Sequence, residues 1–328
     1  MAAPVRAAIV KPRGGLVVIG EALIDLVETG DDDPRLARPG GSPYNVVLGL
    51  ARLGRAVQFA GRLSGDPLGV VLRNHALRSG VDLSLAVDAP EPTTVALVEL
   101  DAAGVAAYRF GVEGTADFRW TDAELARVPD TTRLVHFGSL ASWLPPGDAV
   151  IERRVGELRA GGALVTYDPN VRPRLQPDAG AARAQVERAV RLAHVVKTSE
   201  EDLAHLYGPD AAPAEVAAGW LALGPALVVV TRGGDGAVGV TRDGMVERPS
   251  VPVEVVDTVG AGDAFMSGLL DELVGGRLDR PAELERLSRE AVAALLDRAA
   301  LVAAATCARA GANPPRRAEL ERWAESRG

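Results

Sequence analysis

This chain of 328 residues is poor in several things, and each shortage narrows what it can do. It has one cysteine, Cys307, so no internal disulfide can form and a reducing compartment is expected. Cys307 lies in the Ala-rich run 299–310, where a small buried apolar residue fits. Of its 36 Lys and Arg side chains only Lys11 and Lys197 are lysines, and neither follows a Gly-x4-Gly frame. A Walker A phosphate loop is therefore excluded. The four histidines, His75, His136, His194 and His205, are dispersed and lack zinc-ligand spacing. Structural roles are expected for them, with His136 at a strand end as a candidate for lining a pocket. No Gly-x-Ser-x-Gly elbow occurs, which removes sequence support for serine-hydrolase chemistry. Positive charge is also in deficit. At a net charge of −8 the chain gains nothing from counterion release, so nucleic acid is not an expected partner. A phosphate-bearing ligand stays open, because it needs local donors rather than a basic average. The longest apolar runs, such as 226–230, are strand-sized, so no membrane span is expected. Residues 1–15 carry apolar stretches too short for a signal peptide and are expected to form a flexible tail on a cytoplasmic protein.

What is present is an alternation. Apolar runs at 16–19, 57–60, 134–137, 164–167, 195–197 and 227–230 predict strands. Amphipathic stretches at 42–53, 68–79, 149–160, 181–192 and 214–223 predict helices. Continuous apolar strands divided by helices imply a mostly parallel sheet covered on both faces. Ligands in such sheets sit beyond the C-terminal strand ends. Residues 93–100 and 105–110, joined by Asp101-Ala102-Ala103-Gly104, predict a hairpin, and 36–38 an added short strand. These form either a small β lid or an ordinary edge hairpin.

The densest segment is Asp257-Thr258-Val259-Gly260-Ala261-Gly262-Asp263-Ala264-Phe265. A β-branched run at 253–256 enters a Gly-x-Gly turn, and a helix continues from it to about residue 274. Amides at a helix start lack intrahelical acceptors and, with the helix dipole, form an anion site. Asp263 in the first turn is either a cap or a base that takes a hydroxyl proton beside a held phosphoryl group.

This segment resembles the C-terminal signature of the ribokinase/PfkB carbohydrate kinase family. Gly40-Gly41-Ser42-Pro43-Tyr44-Asn45, followed by Gly49-Leu50-Ala51-Arg52-Leu53-Gly54, resembles its N-terminal signature. The likeness runs from Val17 to about Leu320, and bacterial fructokinases are the most similar members. It implies a ribokinase-like three-layer sandwich with a mostly parallel central sheet and a small β-strand lid. The kinase domain would span 16–328, with lid segments at roughly 30–40 and 90–115. It implies ATP and Mg²⁺, K⁺ beside the anion hole in many members, and a homodimer through the lid. Asp263 would be the base, with Gly260, Ala261 and Gly262 as the hole.

The same resemblance implies roles for other residues. Asp25, Gly41 and Asn45 would hold the sugar. Arg172, in Asp168-Pro169-Asn170-Val171-Arg172, would clamp a phosphate or sugar oxygen; the alternative is a Pro-rich turn held by its own Asx bonds. Ser199, Thr231, Gly233, Gly236 and Gly262 would contact the nucleotide. Asp202 would reach Mg²⁺ through water, or else favour its helix's first turn. Asp257, Val259, Ala310 and Ala312 would surround K⁺. Gly234–Gly239 spells G-x-G-x-x-G, but residues 237–248 predict a β-hairpin rather than a helix, so the dinucleotide reading is weak. The expected activity is phosphorylation of D-fructose to fructose 6-phosphate. A 2-keto-3-deoxygluconate kinase is the second reading, with Arg109 on the hairpin serving its acid group, and ribose or a nucleoside ranks lower. A catalytically inactive sugar-binding regulator would have lost the base or the Gly-x-Gly turn, and this chain keeps both.

Overall fold

The computed structural model describes residues 15–27, 36–100 and 106–326. The expected tail, the first part of the first lid segment and the 101–104 turn lie outside them.

Strand β1 (Leu16–Ile19) opens the main sheet, and β2 (Leu23–Val27) and β3 (Leu36–Gly40) turn away to start a second one. Helix α1 (Ser42–Arg52) begins with proline in its first turn, where the missing N–H costs nothing. It leads to β4 (Val57–Ala60), β5 (Arg62–Ser64) and α2 (Pro67–Ser79). Asp66 caps α2 by accepting from the Gly69 amide. Strand β6 (Val87–Ala89) pairs with β5, and β7 (Val95–Leu100) and β8 (Ala106–Gly111) complete the second sheet. After short α3 (Asp122–Leu125) come β9 (Leu134–Gly138), α4 (Asp148–Ala160), β10 (Leu164–Asp168), α5 (Ala179–Leu192) and β11 (Val195–Ser199). Helices α6 (Glu200–Tyr207) and α7 (Pro213–Leu221) lead to β12 (Leu227–Thr231), β13 (Ala237–Thr241) and β14 (Gly244–Arg248). The chain ends in α8 (Ala261–Gly275), α9 (Pro281–Leu284), α10 (Arg289–Cys307) and α11 (Arg317–Glu325).

The main sheet has eight strands in the order β14-β13-β12-β11-β10-β9-β1-β4, parallel except for the β12–β13–β14 edge. Side chains alternate between two buried layers, as the period of two requires. Val17, Ile19, Phe137 and Tyr167 pack with Val155, Val190 and Trp220 on the α4, α5 and α7 side. Leu16, Val18, Leu134 and Leu164 pack with Leu50, Leu269 and Leu295 on the α1, α8 and α10 side. On that side α8 meets α10 closely, because a Cβ on Gly268 would come within 2.8 Å of the Ala299 Cα. The second sheet runs β3-β2-β7-β8. Its inner face joins Leu23 and Ala96 to Phe118, Leu140 and Trp143 of the main body.

Gly234–Gly239 passes from a short 3₁₀ turn into β13, not into an α-helix. The β-branched run 253–256 forms no strand, and Val255 and Val256 are exposed at 58% and 62%. Cys307 is half-buried at the end of α10 rather than fully enclosed. Among the described residues no helix is long and apolar enough to cross a membrane.

Candidate active site

Helix α8 begins at a turn that favours glycine. Gly260 caps it at φ 76, in the left-handed region. A Cβ there would also come within 2.6 Å of the Ala312 side chain. The Ala261 amide donates to Thr258 O (3.1 Å), and Ala264 N donates to Gly260 O (2.8 Å). The amides of Gly262 and Asp263 have no acceptor among the described residues. Gly262 is exposed, whereas Asp263 is buried. Ala261 was expected to supply a donor as well, but the tight turn spends its N–H on Thr258.

Asp263 is buried in that first turn, 9% exposed. It does not cap its own helix. Its Oδ2 instead accepts from Asn45 Nδ2 at 2.8 Å. Asn45 lies in the first turn of α1, held there by its own amide donating to Gly41 O (2.8 Å). Asn45 Oδ1 is buried and has no partner among the described residues.

Asp25 sits on β2, opposite Arg38 of β3 and Ala96 of β7. Burial pushes its carboxyl up to about 6. The Arg172 guanidinium opposes that rise, the Asp263 carboxylate adds to it, and Arg38 opposes it more weakly. Arg172, Asp263 and Arg38 therefore all act on Asp25. Arg172 follows β10 and donates from Nη1 to Asn170 Oδ1 (2.6 Å), Asn170 O (3.1 Å) and Val171 O (3.0 Å). It curls over its own loop, with its charge felt by both Asp25 and Glu21.

Arg109 does not join this group. Cross-strand partners share a face, so Asp25, Ala96 and Phe110 point together. Arg109 pairs with Leu97 one residue away, and it is exposed on the opposite face of the second sheet.

The residues expected around a monovalent cation do gather. Asp257 Oδ1 accepts from Val259 N (3.0 Å), and Oδ2 accepts from Gly311 N (2.7 Å), between Ala310 and Ala312. Val256 and Asp257 amides also donate to Cys307 O. Arg38 Nη1 lies 3.7 Å from Asp257 Oδ2, so the second sheet reaches across to this loop.

The nucleotide candidates meet at neighbouring strand ends. Ser199 of β11 lies opposite Thr231 of β12, whose hydroxyl donates to Thr198 O (3.2 Å). Gly233 and Gly236 come next, with φ of 51 and 92, around a short 3₁₀ turn that Arg232 N closes on Gly236 O. Asp202 forms a capping box with Ser199. Its oxygens accept from Ser199 N (3.1 Å), Thr198 Oγ1 (3.3 Å) and Val171 N (2.8 Å).

His136 departs from expectation. It is fully buried in β9, not at a pocket edge, with Nδ1 3.0 Å from Thr166 Oγ1. Burial and then the Lys197 charge press its pKa down to about 3, which keeps it neutral. Two charged residues were missed as site candidates from the sequence. Glu21, fully buried after β1, accepts from Ala141 N at 3.1 Å, and burial raises its pKa. Lys197 pairs with Asp168 at 3.0 Å inside the sheet. Their signal was available: each is a charge set against an apolar strand.

The pfkB family carbohydrate kinase model matches residues 14–319. A fructokinase of Rhizobium leguminosarum bv. trifolii is 35% identical over 283 residues, covering 84% of this chain and 85% of that protein. The crystal structure of a Xylella fastidiosa fructokinase with bound ATP superposes with a TM-score of 0.84 at 29% identity, covering 95% of this chain and 98% of that one. A Vibrio cholerae O395 fructokinase, solved with fructose, ADP and a calcium ion, gives 0.79 at 28% identity, covering 94% and 96%.

Proposed function

Because this chain belongs to the pfkB family of carbohydrate kinases and has its ribokinase-like fold, we propose that it phosphorylates D-fructose with ATP, giving fructose 6-phosphate. The observation that carries the reading is the Asn45–Asp263 contact beside the two open amides. One carboxylate is held still next to donors that no group among the described residues uses.

In this reading Asp263 takes the proton from a primary hydroxyl of the sugar as it attacks. The Gly262 and Asp263 amides neutralise the charge on the passing phosphoryl group. Asn45 Nδ2 fixes the Asp263 rotamer, and its unpartnered Oδ1 accepts from the sugar. Asp25 accepts from sugar hydroxyls opposite. Ser199, Thr231 and Gly233 cradle the nucleotide at the ends of β11 and β12. The second sheet closes as a lid and excludes water. Its outer face, which carries Arg109, is our candidate surface for pairing two copies.

Mg²⁺ fits as a passenger on the ATP oxygens rather than in a protein cage, because the Asp202 carboxylate is already bonded by three protein donors. When bound it would neutralise charge on the transferring phosphoryl. A K⁺ ion would use Asp257 and the backbone oxygens of the 310–312 turn. The acid-sugar reading loses the contact expected of Arg109, which lies on the face away from Asp25.

ATP consumption with a panel of sugars at fixed Mg²⁺ and K⁺ tests the proposal. Fructose should give the highest kcat/KM. A preference for 2-keto-3-deoxygluconate, or no turnover with any sugar, overturns it.

A further inference from the structure

The sheet face beneath α8 is apolar except at one place. There, three neighbouring strands contribute His136 (β9), Thr166 and Asp168 (β10), and Lys197 (β11), each at most 4% exposed. Strand alternation puts all four on the side of Leu134, Leu164 and Val195, which pack against α1, α8 and α10. Lys197 Nζ donates to Asp168 Oδ2 at 3.0 Å. Asp168 is itself fixed, with its Oδ1 accepting from Asn170 N and its backbone O from Ser139 N.

The ammonium lies directly behind the amide turn. A Cβ on Gly262 would come within 3.1 Å of Nζ, so a side chain there would crowd the ammonium. The nearby carboxylates of Asp168, Asp202 and Asp263 outweigh burial and keep this lysine protonated. Composition adds an independent point. Among the described residues Lys197 is the only lysine, in a chain whose other positive side chains there are arginines. Arginine carries a broad planar fork, whereas lysine carries a compact point charge. The slot between Asp168 and Gly262 takes the compact one.

We propose that Lys197 is a positioning residue for phosphoryl transfer, its ammonium fixed by Asp168 so that the Gly262–Asp263 donors are backed by a buried positive charge. It does not touch the substrate. It acts through the turn, strengthening the field where negative charge passes in the transition state, in a medium where charges are poorly screened. It supplies, from the sheet face beneath α8, the cation that this chain does not present from a phosphate loop. The inference rests on the fructose kinase reading.

The test is the double variant Lys197→Met/Asp168→Asn in the full chain. Replacing both members of a buried pair by neutral groups of similar shape usually leaves a fold intact, whereas removing one strands the other charge. The expected result is a melting temperature near the parent's and KM values for fructose and ATP within about threefold, with kcat lower by about 10²-fold, the scale of losing one oxyanion donor. A purely structural pair would move melting temperature and KM without that selective loss. A kcat within threefold of the parent at equal stability overturns the inference. Asp263→Asn, assayed alongside, separates the two readings. If Asp263→Asn is inactive while the double variant is active, only the Lys197 role fails. If Asp263→Asn is active, the site reading fails with it.

Discussion

Asn45 Nδ2 donates to Asp263 Oδ2 across 2.8 Å, joining residues 218 positions apart in the chain. Both lie in the first turns of helices, α1 and α8, which pack side by side on one face of the main sheet. The bond holds the carboxylate to one rotamer while its other oxygen stays free of Asn45. Asp263→Asn should therefore keep the fold and lower kcat by about 10²–10⁴-fold, as expected for loss of a general base. Steady-state kinetics beside a melting curve would measure both. A rate within twofold of the parent would remove the base role.

Asn45→Ala leaves the carboxylate in place but unsteered. A misplacement of that kind costs on the order of 10²-fold in kcat. Asn45→Asp should be worse, because it sets a like charge against Asp263. Equal activity of the two variants would count against steering by the amide.

Fructose affinity should depend on pH through Asp25. Its carboxyl is pushed up to about 6, first by burial, with Asp263 adding to the rise and Arg172 and Arg38 opposing it. As pH falls through about 6 the group gains a proton and loses acceptor capacity, so KM for fructose rises. Arg172→Met removes the largest opposing charge and should move that limb to higher pH. A KM that stays flat from pH 5 to 8 would contradict this role.

Asp117 predicts a stability effect of opposite use. It is fully buried, and burial raises its pKa to about 7 against an ordinary 3.8. The folded state therefore holds this proton more tightly than the unfolded state does. The stability it contributes is present below about pH 4 and is lost as pH rises through about 7. Against Asp117→Asn, the parent should lose melting temperature progressively across that window. A pH-independent difference between the two would refute it.

Gly260→Ala tests the turn. A left-handed non-glycine residue costs about 1–3 kcal/mol, and here the new methyl also meets Ala312. Melting temperature and kcat should fall together. Arg109→Ala should change fructose KM by less than twofold, because that side chain lies on the far face of the second sheet. A tenfold rise would return Arg109 to the pocket.

Much of this was legible in the sequence. Apolar runs located the strands of the main sheet, but stopped one or two residues short at Asp168, Ser199 and Thr231. Those polar residues belong to the strands all the same, so a hydrophobicity criterion stops short of them. The two motifs marked Asp263 and Asn45, but not the bond between them, which depends on the packing of α1 against α8. The face on which Arg109 lies is set only by the register of three strands, which spacing does not give. The β-branched run 253–256 forms no strand, because such residues favour strands only with a neighbour to pair with, and here Val255 and Val256 face solvent.

The close seating of α8 on α10, which leaves no room for a side chain at Gly268, bears on how the enzyme moves. A helix wedged that tightly cannot swing without opening a gap in the interior. Asp263 and its amides therefore form an anvil, and on the lid reading proposed above the travelling jaw is the four-stranded sheet that carries Asp25. Turnover should then be paced by how fast that jaw opens to let product out, while the anvil keeps its shape through every cycle.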